Sequence, residues 1–535
     1  YAINHIIKNN TFDDTNIGSM MISASHNLIE NNTILNATYG IYFLKSEDNI
    51  VKNNTIKVIS INISLWAEAI ALEDSSRNQI LNNNLSGGWD GIYLLGLSTD
   101  DKIVKNKIRG SGTGIAIWSK KASNNIICKN TIERNIYHGI YITSDNNLIE
   151  GNILSSHKGY DCIAFLMEFS SGNILKNNSL ENNQWSLGIM GSTSSHFMHD
   201  IDVSNTIDGR PIYYFIEKNN FIIKNKNVGM LALINCSNVT IANVNISCNG
   251  QGILIAYSTN CAVRDCYFYK NQFGMDIISS QEINISRNIF YRNNIDIHMV
   301  NSFTNIINSN NFLEWGEMLF LNSSDNIIRE NSLASITLTN SNYNKIMKNE
   351  NCKISINGDN NIITENVIWK LSDPYVSIQV GIEISGDFNS IINNTIKNCD
   401  IGLRIKECKN DCFINNTIDN NSYYGIEICA DTMHILFERN NITNNGWKYK
   451  LEGAGVKCSG ENITDVQFHY NNIFMNRKGF YVSKLAYYVD ATKNWWGDES
   501  GPFDPSPLPP DYNPRGRGDK VTDWVKYRPW LYSPL

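Results

Sequence analysis

A short run of imidazoles and carboxylates near residue 200 has the residue types of a metal site. His196, His199, Asp200 and Asp202 follow one another as HxxHDxD. Imidazole and carboxylate groups together suit a divalent transition metal. On a strand, however, two histidines three residues apart point to opposite sides, because side chains alternate. The spacing therefore favours a polar hairpin on the flank of the fold, and we predict neither a metal site nor a cofactor.

Aromatic side chains in the first third of the chain could stack on sugar rings or bury against another protein surface. These residues are Tyr42, Trp66, Trp89, Tyr93, Trp118 and Tyr141. The three tyrosines share one position, the second residue after a strand-opening glycine. We expect them to be exposed on a flat sheet, and we favour contact between chains over glycan binding.

A repeated phrase indicates which elements carry these side chains. Asn, a spacer, an aliphatic residue, two polar residues and a second Asn recur, as in NLIENNTI at 27–34, NIVKNNTI at 49–56 and NSIINNTI at 389–396. Self-similarity at this period is typical of stacked supersecondary units. Aliphatics two and three residues apart predict short strands, because alternate strand residues face the same way.

A second, longer strand follows in nearly every repeat and is usually opened by glycine. Examples are GIYFL at 40–44, GIYLL at 91–95 and GIEIS at 381–385. Each repeat is therefore predicted to form one coil whose strands pair with the coils above and below. The fold class is all-β, a right-handed parallel β-helix (solenoid) with a mid-chain hairpin excursion and a C-terminal cap.

One asparagine column should run along a corner of this solenoid. Aligned phrases place Asn32, Asn54 and Asn83 at one position of consecutive coils. Stacked at the ~4.8 Å strand spacing, their amides can form a ladder in which each carbonyl accepts from the next NH2 group. We interpret this column as structural.

A second column, at the second residue after the glycine, alternates in charge near the C-terminus. It reads Glu383, Arg404, Glu427 and Lys457. Opposite charges on neighbouring strands pair modestly. We expect a solvated charge ladder on an outward face.

Composition limits the function classes. The chain has 535 residues, 45 Lys and Arg against 52 Asp and Glu, and no basic run. Nucleic-acid binding is therefore not expected. No membrane-spanning segment is predicted. The sequence starts in the middle of a coil, which is consistent with processing or with a missing upstream segment.

Asn-x-Ser/Thr sequons outside the repeat phrase favour an extracellular, cell-surface location. The candidate glycosylation sites are Asn36, Asn62, Asn235, Asn322, Asn420 and Asn462. The phrase NNTI creates further sequons automatically, so these carry less weight. The buried corner residues Asn32 and Asn54 should remain unmodified.

Three segments together resemble NosD-like parallel β-helix proteins of archaeal cell surfaces. They are residues 196–232, NWWGDESGP at 494–502 and RGRGDKVTDWVKYRPWL at 515–531. With the coils between them, the resemblance covers almost the whole chain. It implies the β-helix fold, whereas its members include surface-layer components, carbohydrate-active enzymes and a copper-accessory protein.

Enzymes that cleave uronic-acid polymers need an acid and a base that meet at one bond. Resemblance to the polygalacturonases would require clustered Asp residues, a Gly-His-Gly and an Arg-Ile-Lys on neighbouring coils. Arg404, Ile405 and Lys406 supply only the last, and the pairs Asp13-Asp14 and Asp100-Asp101 lie many coils away. We predict no catalytic residues and no enzyme activity on such polymers.

The predicted organisation has four parts: N-terminal coils at 1–195, a hairpin or loop excursion at 196–232, C-terminal coils at 233–493 and a Trp/Pro-rich cap or assembly tail at 494–535. A β-helix end exposes unpaired strands unless it is covered. The residues expected to cap an end or to join copies head to tail are Tyr1, Ile3, Trp495, Trp496, Trp524 and Trp530.

Two functions from different classes follow. The first is a structural extracellular protein, a subunit of an archaeal surface layer, sheath or filament that assembles with copies of itself and contacts cell-surface glycans. The second is a carbohydrate-binding or carbohydrate-active β-helix protein of the polysaccharide lyase or hydrolase kind.

Overall fold

Each coil consists of short strands separated by single residues in the left-handed backbone region. In one early coil the strands are Leu28–Glu30, Thr33–Ala37 and Tyr39–Leu44. The central residue of the first strand, Ile29, is buried while its neighbours are not. Asn31, at the corner, has a φ of 53°, a conformation that asparagine tolerates better than most residues. The repeat phrase therefore encodes strand, corner and strand.

The computed structural model describes residues 2–59, 66–159, 161–350, 353–369, 378–448, 452–483 and 488–535. It confirms the predicted fold, an all-β right-handed parallel β-solenoid of about 21 turns. Two compact units comprise Tyr1–Thr259 with Tyr267–Asp276, and Asn260–Cys266 with Ile277–Leu535. The strand Phe273–Ile278 is divided between them.

Three parallel stacks of strands form most of the first unit. The first stack contains Ile6–Lys8, Leu28–Glu30, Ile50–Lys52, Gln79–Leu81, Lys102–Val104, Ile126–Cys128, Leu148–Glu150, Ile174–Lys176 and Asp200–Ile201. The second contains Thr11–Asp13, Thr33–Ala37, Thr55–Val58, Asn84–Ser86, Lys107–Arg109, Thr131–Glu133, Ile153–Ser155, Ser179–Glu181 and Thr206–Ile207. The third, an eight-stranded sheet, contains Ile17–Ile22, Tyr39–Leu44, Glu68–Glu73, Asp90–Leu95, Thr113–Ile117, His138–Ile142, Ile163–Glu168 and Trp185–Met190.

The segment 196–232 begins within a 3-10 helix, Ser194–Phe197. Thr206–Ile207 then pairs antiparallel with Arg210–Ile216, which is the hairpin. Parallel pairing resumes as Arg210–Ile216 joins Met230–Ile234. The other strands of this part of the unit are Asn219–Lys224, Ser237–Ala242, Asn245–Ser247, Gln251–Ala256 and Tyr267–Tyr269.

The second unit repeats the plan. Its first stack contains Ala262–Arg264, Asn284–Ser286, Ile306–Asn308, Ile327–Arg329, Lys345–Met347, Ile362–Thr364, Ser390–Ile392, Cys412–Ile414, Met433–Glu438, Thr464–His469, Val489–Asp490 and Val525–Lys526. The other coil strands are Ile289–Tyr291, Ile295–Val300, Asn311–Leu321, Ser332–Thr339, Lys353–Asn357, Val367–Trp369, Val380–Asp387, Thr395–Lys397, Ile401–Lys409, Thr417–Asp419, Tyr424–Ile428, Asn441–Thr443, Ala454–Cys458, Asn472–Phe474 and Phe480–Val482. Pro502–Phe503 and Gly518–Lys520 form a separate pair.

The asparagine ladder is present, and it is longer than the sequence indicates. In the first unit, Asn83 Nδ2 donates to Asn106 Oδ1 at 3.0 Å, and Asn106 Nδ2 donates to Asn130 Oδ1 at 3.1 Å. A parallel ladder, which sequence analysis missed, runs through Asn27 and Asn49. These buried amides satisfy one another and the backbone carbonyls of neighbouring coils, so the corners are rigid.

The C-terminal residues close the last coils of the second unit. Trp496 is fully buried, and its ring centroid lies 5.8 Å from that of Phe480 and 6.5 Å from that of Tyr527. Asp519 Oδ2 accepts a hydrogen bond from Asn476 Nδ2 at 2.9 Å and so ends another amide column. The tail therefore covers apolar side chains of its own chain.

Candidate functional site

Two carboxylates are adjacent on the eight-stranded sheet of the first unit. Glu68 and Asp90 are register partners on neighbouring parallel strands. Tyr39 is the partner of Glu68 on the preceding coil, and Thr113 and His138 continue the line beyond Asp90. We call these five residues the polar column. Strand spacing places successive members about 4.8 Å apart at the backbone.

Both carboxyl groups are buried, and neither forms an ion pair with a described residue. Burial raises the pKa of Glu68 to about 7, although a hydrogen bond from Tyr39 opposes the rise. Burial, followed by the charge of Glu68, raises the pKa of Asp90 well above its usual range, against opposing contacts from Trp118 and Thr113. Among the described residues, Glu68 Oε2 and both Asp90 carboxyl oxygens have no well-formed hydrogen bond. Such groups are costly to bury.

A hydrogen bond fixes one ring nitrogen of His138. Its Nδ1–H donates to the Ile163 carbonyl oxygen at 2.9 Å, so Nε2 is the unprotonated nitrogen in the neutral ring. Burial lowers the pKa of His138. Its ring stacks on Tyr141 with centroids 5.5 Å apart.

A line of aromatic rings lies at the coil corner that precedes the polar column. Trp66 and Trp89 have ring centroids 5.6 Å apart, and Trp89 and Tyr137 have centroids 5.5 Å apart. Gly112 occupies this corner on the coil between Trp89 and Tyr137, and a Cβ there would lie 3.3 Å from the Tyr137 ring. Trp66 is 62% exposed. We call these three rings the corner aromatics.

A second aromatic line follows the strands of the sheet. Tyr42, Tyr93 and Tyr141 lie on strands, and Trp118 immediately follows the strand Thr113–Ile117. The Trp118 and Tyr141 rings lie 4.5 Å apart. Trp118 is 43% exposed, whereas Tyr141 is buried, so the expectation that Tyr141 is an exposed aromatic is wrong. It packs with Ile163, Leu166 and Trp185 on the outer surface of the sheet.

The eight strands of this sheet contain acidic residues but no Lys or Arg. Their carboxylates are Glu68, Glu73, Asp90 and Glu168. Tyr42 and Tyr141 donate their hydroxyl hydrogen bonds to Glu73 and Glu168. Burial is the main cause that raises the pKa of Tyr93 to about 12, and nearby negative charge adds to the rise. The face is therefore acidic and aromatic.

This column corrects the expectation that acid and base groups are scattered. Two neighbouring carboxyl groups with different protonation behaviour can act as acid and base. Here, however, Asp90 is 0% and Glu68 is 2% exposed. A catalytic acid must reach the bond that it protonates. The geometry therefore places the pair beneath the surface of the sheet, out of reach of a bond to be cleaved.

Sequence reasoning missed the polar column because its residue types differ from coil to coil. The position immediately before the strand-opening glycine is tyrosine in one coil, aspartate in another and histidine in a third. Only a fixed offset from the small residue that opens the strand, glycine in most coils and Ala69 after Glu68, could have revealed the column.

The residues proposed from the sequence as weak metal ligands engage the backbone instead. His196 Nδ1 accepts from the Ser192 and Thr193 amides. His199 Nδ1 accepts from the Asn173 amide, and its Nε2–H donates to the His196 carbonyl oxygen at 3.0 Å. Asp200 lies in the first strand stack and Asp202 Oδ1 accepts from Ser204. Among the described residues, no group of three or more His, Cys, Asp and Glu could hold a metal ion.

The candidate glycosylation sites lie mostly on the surface. Asn36, Asn322, Asn420 and Asn462 are exposed, and Asn235 is half-buried. Asn62 lies outside the described residues. Their modification stays a prediction.

The candidate assembly residues differ in exposure. Ile3 is exposed, Trp496 is buried, and Trp495, Trp524 and Trp530 are half-buried. Tyr1 lies outside the described residues. Assembly with other copies stays a prediction.

The alternating charge column in the second unit has the expected register. Arg404 Nε lies 2.8 Å from Glu427 Oε2, and Lys457 Nζ lies 3.5 Å from Glu427 Oε1. Their side chains are only 12 to 20% exposed. The expectation of a solvated ladder is therefore wrong, because Tyr424 covers Lys457, with the ammonium 4.5 Å from its ring centroid.

Family models match both parts of the chain. Residues 2–161 match the family described as periplasmic copper-binding protein (NosD). Residues 229–342 and 334–495 match the right-handed β-helix region. The chain is a right-handed parallel β-helix protein, and its first part is similar to the NosD family. A search of curated proteins returned no match.

Solved structures share the fold at low similarity. DFA-IIIase from Arthrobacter chlorophenolicus is 11% identical with a TM-score of 0.28, covering 61% of this chain and 85% of that one. A PL6 alginate lyase in complex with a trisaccharide is 11% identical with a TM-score of 0.26, covering 80% and 90%. An exopolygalacturonase from Thermotoga maritima is 12% identical with a TM-score of 0.24, covering 64% and 84%. Similarity at this level carries no argument about function.

The description of the NosD family raises the question of copper. Copper sites in proteins use imidazole, thiolate and thioether ligands held together. His157, like His199, uses its Nδ1 to accept a backbone amide hydrogen bond, here from Asn135 at 3.1 Å. Because His157 and His199 use Nδ1 in this way and no group of three or more ligands forms among the described residues, these residues do not fit a copper site.

Proposed function

We propose that this protein binds a neutral glycan across the eight-stranded sheet of its first unit. The observation that carries the proposal is the arrangement of exposed aromatic rings on both sides of the polar column. Trp66 and Trp118 offer apolar ring surface to the C–H face of a sugar. The tyrosine hydroxyls and His138 Nε2 lie in the same region and can hydrogen-bond sugar hydroxyls.

The negative charge of this sheet face favours neutral over acidic glycans. The strands of this face contain four carboxylates and no Lys or Arg. A uronic-acid polymer would bring more negative charge to an acidic, partly desolvated surface, which opposes binding. A neutral glycan carries no such penalty.

Burial of the carboxylates favours binding over cleavage. Asp90 has no exposed surface, and Trp118 and Thr113 lie beside it. Glu68 can orient Tyr39, which hydrogen-bonds to it, but neither acid is exposed to a bound chain. The second class of function inferred from the sequence, in its carbohydrate-binding form, is therefore the one that the geometry supports best.

Calorimetric titration with neutral and acidic hexasaccharides tests this function. The panel contains glucose, mannose, xylose and galactose oligomers and a galacturonate oligomer. We expect at least one neutral oligomer to bind more tightly than galacturonate. Trp66→Ala and Trp118→Ala should each weaken that binding by roughly 10-fold, since each removes one stacking surface worth about 1.4 kcal/mol.

Trp369→Ala is the matched control, because Trp369 is 37% exposed in the second unit. It should leave binding unchanged. Tighter binding of galacturonate, absence of binding by every neutral oligomer, or equal binding by all three variants would contradict the proposal.

An extracellular location accords with glycan binding. The NosD match, whose family is described as periplasmic, supports it, as do the exposed sequons. No helix in the described parts of the chain is long and apolar enough to cross a membrane. A role in a surface layer, sheath or filament is a separate proposal, which depends on self-assembly.

A further inference from the structure

A small cavity in the second unit has one aromatic wall and several amides. Its volume is about 220 Å³. That is below the ~300 Å³ at which pockets for drug-sized ligands begin, so it has room for a single small ring. The lining residues are Asn398, Asn420, Asn421, Ser422, Asn444, Trp447 and Lys448.

The aromatic wall is held at its edge and open on its face. Trp447 Nε1–H donates to the Met475 carbonyl oxygen at 2.9 Å, yet the side chain is 58% exposed. Gly446, with φ of 84°, makes the turn that presents it. Immediately after Trp447 in the chain, the backbone amide of Lys448 donates to the Ser422 carbonyl oxygen at 3.1 Å. The indole is therefore oriented before any ligand arrives, which lowers the entropic cost of binding.

The amides come from the same corner of three successive coils. Asn398, Asn420 and Asn444 follow strands that pair in sequence, and their φ values are 59°, 54° and 57°. Asn420 Nδ2 donates to Asn398 Oδ1 at 2.7 Å, and Asn444 Nδ2 donates to Asp419 Oδ1 at 2.8 Å. Asn420 Oδ1 and Asn398 Nδ2 have no bonds with described residues. The rim thus offers both an acceptor and a donor.

We propose that this cavity binds one sugar ring, with its C–H face on Trp447 and its hydroxyls on the asparagine amides. A flat apolar wall beside several amide groups matches a pyranose, which has an apolar face and a polar edge. Lys448 at the rim admits a sugar with a carboxylate as well. The site lies entirely within the second unit and does not rest on the function proposed for the first.

The test uses the full chain from a host without N-glycosylation, because Asn420 lies in an Asn-x-Ser sequon and a glycan there would fill the cavity. Saturation-transfer NMR is recorded with glucose, galactose, N-acetylglucosamine and glucuronate, each at about 10 mM, a concentration that detects millimolar affinity. We expect at least one sugar to show transfer through its ring C–H protons. Trp447→Ala should weaken its binding by roughly 10-fold.

Three further variants make the result interpretable. Trp447→Phe keeps a flat ring and should retain part of the affinity, which separates stacking from a folding defect. Trp369→Ala and Trp66→Ala should leave monosaccharide binding at this cavity unchanged. Binding in Trp447→Ala within twofold of the parent, or no transfer to any of the four sugars, would overturn the proposal. Loss in Trp66→Ala alone would assign the signal to the first unit and would also overturn it.

Discussion

Replacing Asn83 by alanine should destabilise the first unit more than any surface substitution. The Asn83 side chain accepts from the Asn54 amide and side chain and donates to Asn106 and to the Val51 carbonyl oxygen. Alanine would leave several buried donors and acceptors unpaired, each costing about 1 to 3 kcal/mol. We expect the free energy of unfolding to fall by about 3 to 5 kcal/mol, measured by denaturant titration.

Asn82 provides the adjacent control. It is exposed and has a φ of 53°, which glycine also adopts without strain. Asn82→Gly should change the free energy of unfolding by no more than about 1 kcal/mol. An Asn83→Ala protein as stable as Asn82→Gly would show that the ladder does not hold the coils together.

Stability of the first unit should fall between pH 5 and pH 8 because of its buried acids. The folded-state pKa of Glu68 is raised to about 7 from an ordinary value of 4.5. An acid with a raised folded pKa contributes stability that is fully present below its unfolded pKa and is lost as pH rises through its folded pKa. For Glu68 the loss is about 3 kcal/mol, and Asp90, shifted in the same direction, adds to it.

Glu68→Gln with Asp90→Asn should reduce this pH dependence, because neither amide titrates, whereas buried Asp101, whose pKa is also raised, keeps its share. The measurement is the denaturant midpoint at pH 5 and pH 8 for the parent and for this double variant. Asp100→Asn, at an exposed carboxylate of the same unit, should keep the slope of the parent. A double variant that loses as much stability between the two pH values as the parent would disprove the buried-acid account.

The sequence predicts the coil well because the coil is periodic. The phrase NNTI combines a left-handed corner residue, a ladder amide and an inward aliphatic, so one short pattern carries local conformation, hydrogen bonding and packing together. The register between neighbouring coils follows from the aligned repeats, so the sequence correctly predicts that Arg404 and Glu427 are neighbours. Periodicity does not predict burial on the outer surface, and the contact of Tyr424 with Lys457 is not revealed by any repeat position.

The candidate face was accessible to sequence reasoning only in part. Its aromatic residues, such as Trp66 and Trp118, were identified from their type. The carboxylates beneath them were not, because Glu68 and Asp90 belong to different motifs, AEAIAL and WDGIYL. Their adjacency comes from stacking of coils, and their burial comes from rings supplied by other coils.

A structure determined with a bound neutral oligosaccharide tests the central claim most directly. The oligomer that binds most tightly in the calorimetric panel is the one to use. We predict sugar rings stacked on Trp66 and Trp118, with the chain crossing above Glu68 and Asp90 on the eight-stranded sheet. Sugar density confined to other surfaces, with these two rings bare, would contradict the account.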